Sequence, residues 1–155
     1  MQEALFTQAL GLQAPWQVGR VALDMNAARV DIEVAYAAPR ASCPQCAAAD
    51  QPVHDRRART WRHLDFFQFE ALIHCNVARV KCAACGQTSQ VGVPWAREGS
   101  HFTLMFEAFA LSLAKLVPVA ALGRILRCSD GALWRQIEHY VEQARAKEDH
   151  SAVRT

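Results

Sequence analysis

Two pairs of cysteines are the residues of this sequence best suited to chemistry. Cys43 and Cys46 form one C-x2-C unit, and Cys82 and Cys85 form a second one after residues 47–81. A gap of two residues lets both sulfurs of a tight turn face one point, about 2.3 Å from a tetrahedral zinc ion. Two such units supply four thiolates and leave no open position for a catalytic water. The spacing therefore predicts one structural Zn2+ bound by these four cysteines.

A C-x2-C unit is also typical of thiol–disulfide exchange. That chemistry places a cysteine of low pKa at a helix N-terminus after a strand. Pro39 and the polar turn after it predict no helix at the first pair, and a second pair would need a separate explanation. Cys75 and Cys128 are expected in the core, because a free cysteine packs as a small apolar side chain.

A basic segment separates the two pairs. It contains Arg56, Arg57, Arg59 and Arg62, followed by Arg79 and Lys81 just before the second pair. Cations beside a dianionic zinc–thiolate centre would stabilise the thiolates. Alternatively, they would contact the phosphates of a nucleic-acid backbone. Both interpretations rely on the same electrostatics and stay open at this point. The first four are the stronger phosphate candidates, since the other two lie closer to the thiolates.

The segments around these residues predict a β-rich first half. Trp16–Tyr36 alternates with a period of two, which predicts a β-hairpin with one dry face. A short amphipathic helix is expected over Glu3–Leu10, and Phe69, Ala71, Ile73 and Cys75 are expected along one face of a strand. The aromatic residues of the basic segment and its flank are expected in the core and not on a stacking platform. These residues are Trp61, Phe66, Phe67 and Phe69.

The second half predicts helices. Apolar residues recur from Phe102 at steps of three and four, Pro118 can end that helix and begin the next, and Ser129 suits the N-cap of a third. Gly123 is the small residue that a crossing of the last two helices requires. These features predict a helix-turn-helix, although an ordinary helical bundle has similar spacing. The residues that would lock the helices are Leu122, Leu126, Cys128, Leu133 and Ile137.

A helix-turn-helix reads DNA with the exposed face of its second helix. Arginine and glutamine side chains on that face can recognise guanine and adenine edges in the major groove. The predicted DNA contacts of this half are Ser129, Asp130, Ala132, Trp134, Arg135 and Gln136.

The expected fold is α+β, with a small antiparallel β zinc-binding domain followed by a helical helix-turn-helix domain. We place the first domain at residues 1–97 and the second, with a trailing helix, at 98–155. The sequence has no apolar run near the ~20 residues that a membrane span needs. Its N-terminus does not resemble a secretion signal, so a cytoplasmic location with reduced thiols is expected.

The combination of motifs resembles the N-terminal region of bacterial insertion-sequence transposases of the ISL-three family. The matching segments are Cys43–Cys46, Arg59–Leu64, Arg79–Gly86 and Cys128–Ile137. The resemblance implies a DNA-binding region that recognises the terminal inverted repeats of a mobile element. Family members continue into a DDE-type nuclease domain, whose three carboxylates bind two divalent metals.

This sequence departs from the family pattern at its end. It stops at Thr155, which leaves no room for the nuclease fold, so catalysis is expected to be absent. The last acids are expected on the solvated face of a polar helix and not in a metal site. They are Glu138, Glu142, Glu148 and Asp149.

The expected partner is double-stranded DNA, with no membrane and no small-molecule substrate, and a homodimer is compatible with the sequence. A zinc-stapled protein–protein interaction or assembly module is the alternative. The formal net charge of +2 does not separate these functions. Four thiolates and one Zn2+ would bring it to about 0, so a nucleic-acid partner has to be argued from local clusters.

Overall fold

The computed structural model describes residues 1–148. The chain divides into two compact units, Met1–Phe106 and a second one that begins at Glu107. In chain order the elements are α1 (Gln2–Ala9), β1 (Trp16–Asp24), β2 (Arg29–Tyr36), β3 (Arg40–Ala41), β4 (Gln51–Phe66), β5 (Phe69–Lys81), β6 (Thr88–Gln90), α2 (Leu104–Ala114), α3 (Val119–Leu126) and α4 (Asp130–Lys147). The predicted α+β class is confirmed. Among the described residues, no helix combines the length and apolar character needed to span a membrane.

The six strands form one sheet in the order β1-β2-β5-β4-β3, with β6 paired to the end of β5. The predicted hairpin is present, with Trp16 opposite Tyr36 and Asp24 opposite Arg29. Most pairings are antiparallel as expected, but β2 and β5 run parallel. The reason is that β3 and β4 lie between them in the chain, so β5 returns to the edge of β2 in the same direction.

A row of polar side chains crosses three strands on the outer face of the sheet. His74 Nε2 lies 2.7 Å from Asp31 Oδ1, and His74 Nδ1 lies 3.0 Å from Thr60 Oγ1. The row therefore joins β2, β5 and β4. Such cross-strand pairs stabilise one register over its alternatives.

The core of the first unit lies on the opposite face of the sheet. Trp61, Ile73 and Cys75 are buried there, and residues 91–97 and α1 pack against the same cluster. Trp95 makes edge-to-face contacts with Trp16 and Trp61, at centroid distances of 5.1 and 5.3 Å. These aromatic contacts hold the segment after β6 against the sheet.

The expectation that the aromatic residues of the basic segment are all buried is wrong at the tip of the β4–β5 hairpin. Trp61 is 3% exposed, but Phe66 is 40% and Phe67 82% exposed. Phe67 and Gln68 both have positive φ, 46° and 68°. They form the two-residue connection of the hairpin, and a turn of this type faces solvent whatever its side chains are.

The second unit contains the predicted hairpin of α3 and α4. Ser129 caps α4 by accepting a hydrogen bond from the Ala132 N–H at 3.2 Å. A Cβ at Gly123 would lie 2.6 Å from Asp130 Oδ1 and 3.0 Å from the Cys128 carbonyl oxygen. The small residue therefore stands where the start of α4 approaches α3, as predicted. Of the predicted locking residues, Leu122, Leu126 and Leu133 are buried and Cys128 and Ile137 are half-buried.

Candidate metal centre and nucleic-acid interface

The two cysteine pairs lie in two turns with matching hydrogen bonds. In the first turn, the Ala47 N–H donates to the Cys43 carbonyl at 2.9 Å, and in the second the Gly86 N–H donates to the Cys82 carbonyl at the same distance. The first turn follows β3 and the second follows β5. Because β3 and β5 flank β4 in the sheet, the fold brings turns that are distant in sequence to the same end.

The four sulfurs form one cluster. Cys43 Sγ lies 3.8 Å from Cys85 Sγ, and Cys46 Sγ lies 3.6 Å from Cys82 Sγ. All four sulfurs lie within 4.8 Å of one another. A tetrahedron with 2.3 Å zinc–sulfur bonds has edges of about 3.8 Å, whereas a disulfide needs about 2.05 Å. The residues present therefore fit a zinc ion bound by four thiolates.

One thiol in each turn is prepared for deprotonation. The Cys46 N–H, followed by the Gln45 N–H, lowers the pKa of Cys43 to about 6, against the opposing effect of burial. The Cys85 N–H likewise lowers the pKa of Cys82. Backbone N–H groups that point at sulfur stabilise the thiolate, which is the form that binds metal.

The other thiol of each turn keeps its proton in the absence of metal. Although the Ala48 N–H opposes the shift, the bond to Cys82 raises the pKa of Cys46 to about 11. The pKa of Cys85 is also raised, by burial and the bond to Cys82, against the Gln87 N–H. Each turn thus pairs a cysteine of lowered pKa with one of raised pKa, and a bound Zn2+ would displace the protons that remain on the four sulfurs.

A redox role for the cysteines finds no support in this geometry. Both pairs lie in turns and not at a helix N-terminus, and sulfurs of different pairs are in contact. Cys75 is buried at 4% exposure, and burial raises its pKa to about 11, which makes it an unreactive core residue as predicted.

The basic residues between the turns differ in what they contact. Arg56 donates to the Tyr36 carbonyl at 3.3 Å, and Arg79 Nε donates to Asp55 at 2.6 Å. Arg57 is exposed, and Arg59 is half-buried. Arg57 and Arg59 share the face of β4 that carries Trp61, whereas Arg56 lies on the opposite face.

Arg62 is part of the interior of the first unit. Its side chain is 8% exposed, and its guanidinium lies 2.7 Å from Asp65 and 3.0 Å from Glu70. It also stacks on the Phe106 ring at 5.4 Å. A guanidinium with two carboxylate partners and an aromatic ring is already neutralised and desolvated, so it contributes to folding.

The predicted reading face of α4 is partly buried. Asp130, Trp134 and Arg135 are exposed, but Ala132 is 7% and Gln136 2% exposed. The expectation that the last two are exposed is wrong. The buried face of α4 contains residues 132, 133 and 136, whereas the apolar pattern predicts a buried face through 133 and 137. The buried face is therefore shifted toward 132 and 136.

The buried Gln136 amide has no hydrogen-bond partner among the described residues. Glu138, Glu142 and Glu148 are exposed, as predicted, and Asp149 lies outside the described residues.

Sequence reasoning missed one element of the metal site, which is the residue after each cysteine pair. Ala47 and Gly86 adopt left-handed backbone angles, with φ of 60° and 71°. This conformation lets the N–H of each turn close onto its first cysteine. The glycine that follows the second pair is the only sequence signal of this requirement, because the first turn uses alanine at the same place.

Comparison with known families agrees with this geometry. A zinc-finger model of the transposases IS204/IS1001/IS1096/IS1165 matches residues 39–85, and the helix-turn-helix domain of transposase family ISL3 matches residues 92–141. Comparisons with curated proteins and with solved structures gave no match. The two family matches cover both cysteine pairs, α3 and residues 130–141 of α4, which supports one structural zinc and a DNA-binding role. The chain therefore belongs to the ISL3 transposase family, of which it carries the zinc-finger and helix-turn-helix regions.

Proposed function

We propose that the chain binds double-stranded DNA in a sequence-specific manner and recognises the terminal inverted repeats of a mobile element. The observation that carries the proposal is the α3–α4 hairpin, in which Gly123 permits close approach and Ser129 caps the second helix. The whole of α3 and residues 130–141 of α4 lie within the region that matches the ISL3 helix-turn-helix domain. In such motifs the N-terminal residues of the second helix contact base edges.

Arg135 is the residue that we expect to read a base. It is exposed on the second turn of α4, and its Nη1 lies 3.6 Å from the position of a Cβ at Gly131. The guanidinium therefore lies over the end of the helix that enters the major groove. Trp134, 50% exposed, supplies an apolar surface beside it.

The remaining predicted contacts of α4 have other tasks in the structure. The Ser129 hydroxyl is used as the helix cap, and Asp130 lies against Gly123. Ala132 and Gln136 are buried, so we do not include them among the residues that reach DNA. Ser129 and Asp130 can still contact the backbone at the rim of the interface.

We infer that Cys43, Cys46, Cys82 and Cys85 bind the zinc ion and that its role is structural. Four thiolates complete a tetrahedral shell, so the ion would tie the end of β3 to the end of β5 without activating a water molecule. The zinc-finger and helix-turn-helix regions would bind DNA, and other parts of the transposition machinery would carry out the bond-breaking chemistry. Thiolate ligation also favours a reducing compartment such as the cytoplasm.

The test is selection of duplexes from a randomised library with the zinc-loaded full chain, followed by mobility shifts with the selected and scrambled sequences. Arg135→Ala should lower the preference for the selected sequence by roughly 5- to 150-fold, the range for one bidentate arginine–guanine contact. Arg145→Ala is the matched control, because Arg145 is exposed in the last turn of the same helix.

Each outcome of this test decides something. Equal binding of selected and scrambled duplexes by the wild-type protein would refute specific recognition. Absence of DNA binding at low salt, together with concentration-dependent self-association in sedimentation, would favour the assembly module instead. Loss of preference in Arg145→Ala but not in Arg135→Ala would place the reading face elsewhere on α4.

A further inference from the structure

We propose that a cleft in the first unit, beside the first cysteine turn, binds a backbone phosphate of DNA through Arg59. The cleft has a volume of about 530 Å3 and is lined by Arg59, Trp61, Pro44, Gln45 and the segment 89–93, 96–100. The inference rests on the proposed DNA-binding function and deepens it, because it gives the zinc-finger region a contact of its own.

Arg59 is held at the cleft by the register of the sheet. It lies opposite Cys75, two residues before the buried Trp61 and on the same face of β4. Since Trp61 packs in the core, the Arg59 side chain leaves the core at its margin, where the segment after β6 borders the sheet. Its half-buried position restricts the directions the guanidinium can take, which lowers the entropy lost on binding.

The guanidinium of Arg59 is available for a ligand. It makes no hydrogen bond or ion pair with any other residue in 1–148, and in this it differs from three other arginines of the basic segment. Arg56 donates to a backbone carbonyl, and Arg62 and Arg79 are paired with carboxylates. No Arg59 nitrogen is among the buried polar atoms without a partner, so water can reach these donors and an acceptor-rich group can take the place of that water.

A second polar group in the cleft also lacks a partner. The Ser89 hydroxyl is buried and has no hydrogen-bond partner among the described residues. It lines the same cleft as Arg59. A phosphate offers several acceptor oxygens and a negative charge to the guanidinium, whereas an ammonium ligand would leave the arginine donors unused.

The charge balance of the cleft favours one phosphate over a longer anionic segment. Arg59 and Arg97 line it together with Glu98, which is exposed. Gln45 belongs to the cysteine turn, and a zinc ion with four thiolates carries a formal charge of about −2. Because this negative centre is near the cleft, we expect the two arginines to bind one phosphate and not a longer anionic segment. A phosphate contact of this kind carries no information about the DNA sequence.

The experiment measures the salt dependence of affinity for a random-sequence duplex with the zinc-loaded full chain. Arg59→Gln should reduce the magnitude of the slope of log K against log salt by about 0.9, the value for one lost phosphate contact. Its affinity at low salt should fall by about 10-fold for selected and scrambled duplexes alike. Arg59→Lys should keep the slope but lose part of the affinity, because it retains the charge without the planar fork.

Arg56→Gln is the matched control, since Arg56 is on the same strand but the opposite face of the sheet. It should keep the wild-type slope. Zinc content and circular dichroism of each variant establish that it is folded. Titration with inorganic phosphate, followed by the Arg59 Nε–Hε resonance, separates a DNA phosphate from free phosphate as the ligand.

An unchanged slope in folded Arg59→Gln would overturn the cleft assignment while leaving the proposed function intact. The same holds if inorganic phosphate shifts the Arg59 resonance but DNA does not, because the cleft would then take a free anion. If Arg59→Gln alters the preference between sequences and not the slope, the residue reads bases and the phosphate proposal fails. If the wild-type chain binds no DNA, the proposed function falls first and the cleft assignment falls with it.

Discussion

Replacement of Gly123 by alanine tests the close approach of the start of α4 to α3 at this glycine. The added Cβ would lie 2.6 Å from Asp130 Oδ1 and 3.0 Å from the Cys128 carbonyl oxygen. Both distances are well below the ~3.5–4.0 Å at which non-bonded heavy atoms attract. The Asp130 carboxylate can rotate away. The Cys128 carbonyl belongs to the backbone between the helices, so it can move only if the start of α4 moves with it.

The expected magnitude follows from two opposing effects. Glycine to alanine inside a helix stabilises by about 1 kcal/mol through helix propensity. Overpacking at a rigid contact costs about 1–3 kcal/mol. We therefore expect Gly123→Ala to lower the free energy of unfolding by about 1 kcal/mol. Gly131→Ala is the matched control, since its Cβ would meet only Arg135 Nη1, at an ordinary 3.6 Å.

Gly131→Ala should keep the gain in helix propensity without a close contact, so its free energy of unfolding should rise by up to about 1 kcal/mol. The two variants should therefore differ in free energy of unfolding by about 2 kcal/mol. The assay is urea unfolding of the zinc-loaded protein followed by helical circular dichroism, compared at equal m-values. A double-mutant cycle with Asp130→Ala should show coupling to Gly123→Ala of more than about 0.5 kcal/mol. If Gly123→Ala is as stable as Gly131→Ala, the close approach of the helices is refuted.

Three further predictions concern the first unit. Metal analysis should give about one zinc per chain, and chelation or Cys82→Ser should remove the zinc together with β structure. Cys75→Ala is the control and should retain the zinc. Zinc retention in Cys82→Ser would contradict the four-thiolate site. Gly86→Ala should cost about 1 kcal/mol, because its φ of 71° is left-handed, while Gly92→Ala, where a Cβ also meets open space, should stay within about 0.5 kcal/mol. Burial lowers the pKa of His63 from its ordinary 6.5, because the folded protein favours the neutral imidazole. The contribution of neutral His63 to the free energy of unfolding is therefore fully present above pH 6.5 and is lost as pH falls through the folded-state pKa. An NMR titration midpoint of His63 at or above 6.5 would contradict this.

The metal site was predictable from the sequence because its determinants are local. Each C-x2-C unit fixes its own turn, and only the meeting of the two turns requires the fold. The long hairpin of β4 and β5 achieves this, since both turns lie at the end of the sheet away from Phe67 and Gln68. Likewise, the Ser129 cap and the small Gly123 are local requirements of a helical crossing, and the structure contains both.

Features that depend on non-local pairing could not be derived in this way. The parallel contact of β2 with β5 is invisible to a period-two pattern, which is the same in both orientations. Gln136 is buried because the buried face of α4 is shifted from the face through 133 and 137 toward 132 and 136. The apolar spacing of the sequence does not indicate this shift. Phe67 is exposed because hairpin geometry, not hydrophobicity, determines where a turn residue lies.

The arginines show why composition alone does not predict affinity for DNA. In the sequence Arg56, Arg57, Arg59 and Arg62 form one basic cluster, and all four are equal candidates for phosphate contact. In the structure Arg62 is neutralised by Asp65 and Glu70, while Arg59 has no partner among the described residues. Only cations whose charge is not already compensated release counterions when DNA binds. The slope of log K against log salt should therefore follow the number of unpaired cations at the DNA interface. Arg62→Gln should lower the free energy of unfolding, but the protein that remains folded should bind DNA with the wild-type slope.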